Sequence, residues 1–292
     1  MKHLFAALLA ALLCACTQDP PRAAGPSFAL MGDVPYSRAQ VNLLDTMIGE
    51  INAAPLAFVV HLGDITDGDG PCTDEWLEAR QRQFARIRHP FVLVLGDNEW
   101  TDCHRSGFDP MERLARLRTL FHARDPQLAR FERQSRDYPE HARWVAEQTL
   151  FLTLNVPGSN NNLGRTPEMD EEHARRMRAV EAWLDDSFEL AARENLPAVA
   201  VLMQANPRFG RIFAPERDGY AGLRAMLAAR AAKFRGSVLL AHGDTHRYRN
   251  DHPLPNLQRV EVFGSPYVRW LRAGFPPAGA RAFPVQPVDP AR

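Results

Sequence analysis

The sequence places acidic or amide side chains directly after five separate apolar runs. These side chains are Asp33, Asp64, Asp97 with Asn98, Gln204, and Asp244 with His246. Hydrolysis of a phosphate ester at neutral pH needs positive charge on the phosphoryl oxygens and a strong nucleophile. Two metal ions about 3.5–4 Å apart supply both. Holding the ions that close requires a bridging carboxylate, so these residue types match the needs of a two-metal hydrolytic site.

The apolar runs in front of these residues alternate with segments of helical periodicity. The strand candidates cover residues 27–31, 56–62, 91–95, 150–156, 198–203, 238–241 and 260–263. Helical patterns cover residues 39–51, 73–88, 168–195 and 220–234. This alternation predicts an α/β sheet protein, whose ligand sites form at the carboxyl ends of strands. We therefore expect the acidic and amide side chains to converge. The alternative, that each Gly-Asp pair is a simple turn, predicts that Asp33, Asp64 and Asp244 lie apart.

The overall composition is that of a globular protein. The chain has 292 residues, with 35 Lys or Arg against 35 Asp or Glu, so its formal charge is zero. Hydrophobic residues make up 45% and charged residues 24%, which excludes a disordered, collagen-like or polytopic membrane protein. The charge balance gives no nucleic-acid signature, because such proteins carry a basic excess. The oligomeric state stays open.

The N-terminal residues have the pattern of an export signal. Lys2 precedes an uncharged apolar run over residues 4–15, which is too short for a membrane-spanning helix of about 20 residues. The run ends in Leu13-Cys14-Ala15-Cys16, which resembles a bacterial lipobox with Cys16 as the lipidated residue. We predict a signal peptide over residues 1–15, a tether over residues 16–26 and a periplasmic protein anchored to the outer membrane by its lipid. A plain signal peptide cleaved near the same place is the alternative.

Two further cysteines, Cys72 and Cys103, lie in polar, loop-like sequence. Export would place them where disulfides persist, and free exposed thiols are unusual in such compartments. No C-x-x-C spacing supports a metal site built from them. We therefore predict a disulfide between Cys72 and Cys103.

One domain is predicted over residues 27–275. Within it, residues 99–148 are rich in Arg and His and contain no clear strand, so we expect a largely helical insertion over the sheet edge. Its arginines fit a solvated helix face paired with acids better than a phosphate site. The Pro-rich residues 276–292 are expected to form a weakly ordered tail.

Five short blocks, in the expected order, resemble the calcineurin-like metallophosphoesterases. Residues 32–35, 62–64, 95–99, 203–207 and 241–246 stand where that family has D-x-H, G-D, G-N-H-[D/E], a lone His and G-H-x-H. The resemblance covers residues 30 to about 246. It implies an α/β sandwich of two central β-sheets flanked by helices, here with the helical insertion. It also implies metal-dependent hydrolysis of a phosphomonoester or phosphodiester through a dinuclear metal site.

The resemblance further assigns metal ligands to residues of this chain. The expected ligands of two divalent ions are Asp33, Asp64, Asp97, Asn98, Gln204, Asp244 and His246. Asp64 is expected to bridge the ions, with Asp33 and His246 on the first ion and the others on the second. Asn98 is an alternative to Asp97 if the loop shifts by one residue.

The sequence departs from the family pattern at three histidines, which are replaced by Pro35, Gln204 and Asp244. Proline cannot bind a metal ion through its side chain, whereas the other two replacements add oxygen donors. An oxygen-rich ligand set favours Mn or Mg, with Fe or Zn as alternatives.

The residue that donates a proton to the leaving group is open. Asn98 occupies the place of the family's general-acid histidine, and an amide is a poor proton donor. His104, His61 and His242 are the candidates to replace it. His104 is favoured because it follows Cys103, so the predicted disulfide would hold its loop over the site. His61 is more typical of a core histidine, and an ester with a good leaving group would need no acid.

Two arginines are candidate ligands for a substrate phosphate. Arg208 follows the fourth block and Arg247 follows the last. The asparagines at residues 160–162 could offer amides to a substrate, but a polar loop with permissive backbone geometry is the slightly preferred explanation. The alternative function is a non-catalytic module on the same fold that binds a phosphate-bearing ligand or an envelope partner.

Overall fold

The computed structural model describes residues 25–122, 131–210, 217–277 and 279–289. The predicted signal peptide, Cys16 and most of the tether lie outside these residues. Within the described ranges, no helix combines the length and apolar character needed to cross a membrane.

The first sheet has five strands. Their order across the sheet is β12 (Val285–Pro287), β11 (Leu271–Gly274), β1 (Ser27–Met31), β2 (Val59–His61) and β3 (Phe91–Leu93). The strands β1, β2 and β3 are parallel neighbours. The strands β11 and β12 run antiparallel at the other side.

The second sheet has seven strands. Their order is β4 (Glu132–Arg133), β5 (Ala142–Ala146), β6 (Thr149–Thr153), β7 (Ala198–Leu202), β8 (Ser237–His242), β10 (Leu257–Glu261) and β9 (Arg249–Leu254). The central strands β6, β7, β8 and β10 are mutually parallel, and the outer strands are antiparallel.

Helices connect the parallel strands and cover the sheets. They are α1 (Arg38–Ala53), α2 (Asp74–Phe84), α3 (Pro110–Phe121), α5 (Pro167–Arg193) and α6 (Ala221–Lys233), with a 3-10 helix over Thr101–Ser106. A single turn, α4 (Gly158–Asn161), has non-helical φ and ψ angles at Ser159 and Asn160. Polar side chains begin the helices α1, α2, α3 and α5. Ser37, Thr73, Asp109 and Thr166 each accept a hydrogen bond from the backbone N–H three residues later.

The core has three layers because the central strands are buried on both faces. In β1, Phe28 and Leu30 pack into the apolar cluster between the two sheets, whereas Ala29 and Met31 pack against α1 and α2. The strand β7 alternates in the same way between the inter-sheet cluster and the cluster under α5 and α6. Burial on both faces explains why these strands are continuous apolar runs in the sequence. The two-sheet sandwich confirms the predicted fold class.

Residues 99–148 differ from the predicted helical insertion. The segment contains the 3-10 helix and α3, but it also contributes β4 and β5 to the edge of the second sheet. A two-residue turn joins β5 to β6, with φ of 45° at Glu147 and 59° at Gln148. Such turns usually contain Asn or Gly, so the sequence carries no usual hairpin signal here.

The C-terminal segment also differs from the expectation of a weakly ordered tail. Residues Val285–Pro287 form β12, which pairs antiparallel with β11. The strand lies at the edge of its sheet, which is where proline is tolerated in β structure.

Candidate active site

The acidic and amide residues singled out in the sequence follow the carboxyl ends of parallel strands. Asp33, Asp64 and Asp97 come after β1, β2 and β3. Gln204 and Asp244 come after β7 and β8, which are parallel neighbours in the second sheet. The two sheets therefore deliver these side chains to one edge of the sandwich.

Hydrogen bonds join these residues across the two sheets. The backbone N–H of Asp244 donates to Asp33 Oδ1 at 3.0 Å, and Gln204 Nε2 donates to Asp64 Oδ2 at 3.0 Å. The backbone N–H of Asn98 donates to Asp64 Oδ1 at 3.2 Å. The interpretation of the Gly-Asp pairs as unrelated turns is therefore wrong, because it requires these aspartates to lie apart.

Four of the converging residues adopt left-handed backbone conformations. The φ angle is 53° at Asp33, 58° at Asp64, 84° at Asp244 and 59° at His246. Residues other than glycine are strained in this region, and such strain persists only where the surrounding structure enforces it. Its concentration at the ends of three strands marks this edge as a functional site.

Two glycines allow the backbone to approach the carboxylates closely. A Cβ atom added at Gly96 would lie 2.0 Å from Asp64 Oδ1, and one added at Gly243 would lie 2.3 Å from Asp33 Oδ2. Any side chain at these positions would collide with a site carboxylate. The glycines of these two blocks are therefore needed for the space they leave.

The site carboxyl groups are buried and short of positive charge. Burial, together with the charges of neighbouring carboxylates, raises the pKa of Asp33 and of Asp64 well above the usual value. Burial and the charge of Asp244 raise the pKa of Asp97 to about 8. Asp33 Oδ2 and Asp97 Oδ1 are buried and accept no hydrogen bond from any described residue.

Tyr36 is a site residue that the sequence reasoning missed. Its hydroxyl oxygen lies 3.1 Å from Asp64 Oδ2, 3.1 Å from His246 Nε2 and 3.1 Å from Asn98 Nδ2. It donates to Asp64 and accepts from Asn98. Burial and the charge of Asp64 raise the pKa of Tyr36 well above its usual value. The available signal was its place beside Pro35, where the family has a histidine.

The side-chain amide of Gln204 has a defined orientation. Its Oε1 accepts a hydrogen bond from the backbone N–H of Gly158 at 2.6 Å, and its Nε2 faces Asp64. A backbone N–H only donates, so the amide oxygen must be the atom that faces Gly158. The oxygen expected to bind a metal ion is therefore turned towards Gly158.

His246 presents a ring nitrogen to the site. Its Nδ1 lies 2.8 Å from the carbonyl oxygen of Ser265. A carbonyl only accepts, so Nδ1 carries the proton and Nε2 has the lone pair in the neutral ring. Nε2 lies 4.0 Å from Asp33 Oδ1, which places His246 beside the carboxylate with which it was grouped.

The candidates for the general acid differ in exposure. His61 and His242 are fully buried and each contacts a backbone carbonyl, and burial lowers their pKa values to about 4 and about 3. His104 is exposed, and its Nδ1 lies 2.9 Å from the carbonyl oxygen of Thr101 and 3.0 Å from Arg165 Nη1. Of the three, His104 alone is accessible to a substrate.

The two candidate phosphate-binding arginines are both exposed. Burial raises the pKa of Asp244, and the positive charge of Arg208 partly offsets this rise. Among the described residues, no hydrogen bond or ion pair links the side chain of Arg247 to the site. The charge of Arg208 therefore acts on a site carboxylate, and the role of both arginines in binding a phosphate stays a prediction.

The predicted disulfide is present. Cys72 and Cys103 are joined, with their Cα atoms 5.7 Å apart. Both Sγ atoms lie 3.4 Å from the carbonyl oxygen of Asn98. The disulfide therefore packs directly against the backbone of a site residue.

The donors at the strand ends do not form a ready-made metal cluster in the described residues. No group of three or more His, Cys, Asp or Glu side chains stands ready to hold a metal ion in the part of the chain that the structure describes. Amide and hydroxyl groups of Asn98, Gln204 and Tyr36 lie among the carboxylates instead. The unpartnered oxygens of Asp33 and Asp97 and the raised carboxyl pKa values nevertheless show a deficit of positive charge. A divalent ion that prefers oxygen ligands fits that deficit.

Comparison with known proteins gives one family. A model of the calcineurin-like phosphoesterases matches residues 26–248. A dimetal phosphatase from Danio rerio is similar in structure, with 15% identity and a TM-score of 0.57, over 85% of this chain and 91% of that chain. A purple acid phosphatase from yellow lupin has 12% identity and a TM-score of 0.50, over 87% of this chain and 50% of that chain. No curated protein sequence matches significantly.

At such low identities the solved structures show the fold alone. The family model covers most of the chain and includes all five strand-end blocks. Those blocks are also the segments whose side chains meet at one edge of the sandwich. The chain therefore belongs to the calcineurin-like phosphoesterase family.

Proposed function

We propose that the protein is a metal-dependent phosphoesterase that hydrolyses a phosphomonoester or phosphodiester at the strand-end site. The observation that carries this proposal is the convergence of Asp33, Asp64 and Asp97, each at most 6% exposed, with Asp244 beside them. Buried carboxylates without compensating charge are unfavourable. A scaffold that only needed stability would not gather them, whereas a cation-binding site requires them.

The side chains that would hold divalent ions are Asp33, Asp64, Asp97, Asp244 and His246. Asn98 is not among them, because its amide NH₂ donates to Tyr36 and to the carbonyl oxygen of Thr66. Ions bound there would neutralise the phosphoryl oxygens and lower the pKa of a water molecule that attacks phosphorus. The protein itself would hold the metal-binding carboxylates in position through hydrogen bonds. Tyr36 and Gln204 both donate to Asp64 Oδ2, and the Asn98 N–H donates to Oδ1, so the central carboxylate is held by three hydrogen bonds.

Turnover of chromogenic phosphomonoesters and phosphodiesters tests this function. Wild-type protein is expected to hydrolyse at least one class in Mn²⁺ or Mg²⁺, and Asp64→Asn is expected to reduce the rate to background. The matched control is Asp137→Asn, which changes an exposed aspartate and should leave the rate unchanged. Bound ions without turnover of either class, in Mn²⁺, Mg²⁺, Fe²⁺ or Zn²⁺, would favour a binding module and contradict the proposal.

His104 is the proposed donor of a proton to the leaving group. It is exposed and lies on the 3-10 helix that directly follows the third block. His104→Gln should slow hydrolysis of an ester with a poor leaving group by about 100-fold or more, because general-acid catalysis contributes at least that factor. An ester with a good leaving group should be little affected, and so should both esters with His252→Gln, another exposed histidine. Equal losses on both esters would exclude the role.

We also propose export and lipid attachment at Cys16. A disulfide is typical of oxidising compartments, which supports export. Mass spectrometry of the mature N-terminus from whole cells is expected to find residues 1–15 removed and a lipid on Cys16. Cys16→Ser should release the protein from the membrane fraction, and retention of residues 1–15 would contradict this proposal.

A further inference from the structure

The residues that follow β6 form an unusual backbone turn next to the carboxylates. The φ angles of Ser159, Asn160, Asn161 and Asn162 are 46°, 57°, 57° and 65°. Consecutive left-handed residues are rare in L-amino-acid chains because each Cβ crowds the following carbonyl. Asparagine tolerates this conformation best among residues other than glycine, which gives the asparagine run a physical reason. We call residues 158–162 the left-handed turn.

A fully buried arginine on α5 holds this turn. Arg176 Nη1 donates to Asn161 Oδ1 at 2.5 Å, and Nη2 donates to the carbonyl oxygen of Asn161 at 3.1 Å. Its charge is balanced by Glu172, which accepts from Arg176 Nε at 2.7 Å and from Asn162 Nδ2 at 2.8 Å. Arg176 is 0% exposed, so its five N–H donors depend on these partners.

Tyr220, which precedes α6, holds the turn from the other side. Its hydroxyl accepts from the backbone N–H of Asn161 at 3.1 Å and donates to the carbonyl oxygen of Pro157 at 3.1 Å. Tyr220 is 2% exposed. A single hydroxyl therefore closes the turn by bonding to the residue just before it and to a residue within it.

The left-handed turn acts on the site through Gly158 and Gln204. The Gly158 N–H binds Gln204 Oε1, which leaves Gln204 Nε2 to donate to Asp64 Oδ2. Gly158 also packs against Asp97, since an added Cβ would lie 2.6 Å from Asp97 Oδ1. The position of this one glycine thus fixes both which atom of Gln204 faces Asp64 and how closely the backbone approaches Asp97.

We propose that Gln204 enters the site as a hydrogen-bond donor to Asp64 rather than as an oxygen ligand, and that Arg176 and Tyr220 are positioning residues that keep it so through the left-handed turn. The side chain of Gln204 is 0% exposed and both ends of its amide are paired. Rotation of the amide would set its oxygen against a carboxylate and its NH₂ group against an N–H donor. The inference rests on the proposed function only in treating Asp64 as the central carboxylate of the site.

The test follows the side-chain amide of Gln204 by NMR. Its signal, assigned by its absence in Gln204→Met, is expected to exchange slowly with solvent in metal-free wild-type protein. Tyr220→Phe removes the hydroxyl that closes the turn and should speed this exchange by about tenfold, the factor that corresponds to the loss of about one net hydrogen bond. Tyr138→Phe is the matched control, because among the described residues no hydrogen bond joins Tyr138 to residues 158–162, and its ring stacks on His141 instead. Arg176→Lys, which keeps the charge but not the planar fork, should also speed the exchange.

A second measurement follows the affinity for Mg²⁺. Gln204→Met and Tyr220→Phe should each weaken binding about tenfold or more, as the loss of outer hydrogen-bond partners of metal ligands does. The double variant should bind no more weakly than Gln204→Met, because both changes act through one hydrogen bond. Fast exchange of the Gln204 amide in wild-type protein, or equal exchange in Tyr220→Phe and Tyr138→Phe, would overturn the proposal. Wild-type protein that binds no divalent ion but shows the expected exchange would overturn the proposed function and leave the orientation of Gln204 standing.

Discussion

At the scale of single residues, the site has a central carboxylate, Asp64, whose two oxygens are hydrogen-bonded, and flanking carboxylates with unpartnered oxygens. Both oxygens of Asp64 accept hydrogen bonds, from Asn98, Gln204 and Tyr36. Asp33 and Asp97 keep one buried oxygen each without a partner in the described residues. The central carboxylate is therefore oriented by the chain, and the flanking ones are left with capacity for a cation.

Tyr36→Phe tests the role of the hydroxyl at the centre of this arrangement. The change removes a donor to Asp64 and the acceptor of Asn98 Nδ2 while keeping the ring. Affinity for Mn²⁺, measured by calorimetric titration, should fall about tenfold. Tyr267→Phe is the control, since Tyr267 is 61% exposed. Equal affinities of the two variants would show that Tyr36 does not organise the site.

Sequence identified the residues of the site better than their roles. Carboxylates after strands are a local signal, and the structure brings Asp33, Asp64, Asp97 and Asp244 together. The orientation of Gln204 and the inclusion of Tyr36 depend on contacts between segments far apart in the chain, such as Tyr36 with His246. No local pattern encodes such contacts, so the sequence analysis missed Tyr36 and expected Gln204 as an oxygen ligand.

At the scale of secondary-structure elements, the turns that follow the strands carry the candidate active site. Strands buried on both faces are continuous apolar runs, so β1, β2, β7 and β8 were predictable. The outer strands were not. Arg249–Leu254 forms β9 from largely polar residues that face solvent, and β5 is joined to β6 by a turn without glycine. Pairing with a neighbouring strand, rather than local composition, defines these edge strands.

Gly96→Ala tests whether the turn after β3 must leave room for Asp64. The new Cβ would lie 2.0 Å from Asp64 Oδ1 and 2.4 Å from its backbone nitrogen. Unfolding in urea should show a loss of roughly 1–3 kcal/mol in the free energy of unfolding, because the backbone at either Gly96 or Asp64 must shift. Phosphoesterase activity should fall with it.

The control for this change is Gly49→Ala in α1, where an added Cβ meets no atom within 4 Å. Alanine is the better helix former, so this variant should be more stable by roughly 0.5–1 kcal/mol. The same substitution of glycine by alanine is thus expected to lower stability at residue 96 and to raise it at residue 49. A stable, active Gly96→Ala would mean that the two turns are looser than the structure shows.

At the scale of the whole molecule, the buried carboxyl groups couple stability to pH. A raised carboxyl pKa means that the folded state holds a proton that the unfolded state has released. Stability therefore falls as pH rises towards the folded-state pKa, which is about 8 for Asp97 and is raised for Asp33 and Asp64. Burial lowers the pKa values of His61 and His242, so these residues make stability rise with pH. This effect is confined to pH values below about 6.5, the pKa of histidine in the unfolded chain.

Metal-free protein should therefore lose roughly 1 kcal/mol of unfolding free energy between pH 7 and pH 8 through Asp97 alone, because the buried histidines no longer oppose the carboxyl groups in that range. Denaturant titrations in the presence of a chelator measure this loss. Saturating Mg²⁺ should reduce it, because a bound cation favours the ionised carboxylates. A flat profile without metal would show that the carboxyl groups are already ionised and compensated in the fold.

Equilibrium dialysis with Mn²⁺ measures whether the strand-end carboxylates bind cations, in wild-type protein, in Asp64→Asn and in the exposed-site control Asp137→Asn. We expect wild type and Asp137→Asn to bind two ions per chain and Asp64→Asn to lose both, because the two ions would share the Asp64 carboxylate. Folded wild-type protein that binds no ion in either Mn²⁺ or Mg²⁺, or an Asp64→Asn variant that binds as wild type does, would contradict this expectation.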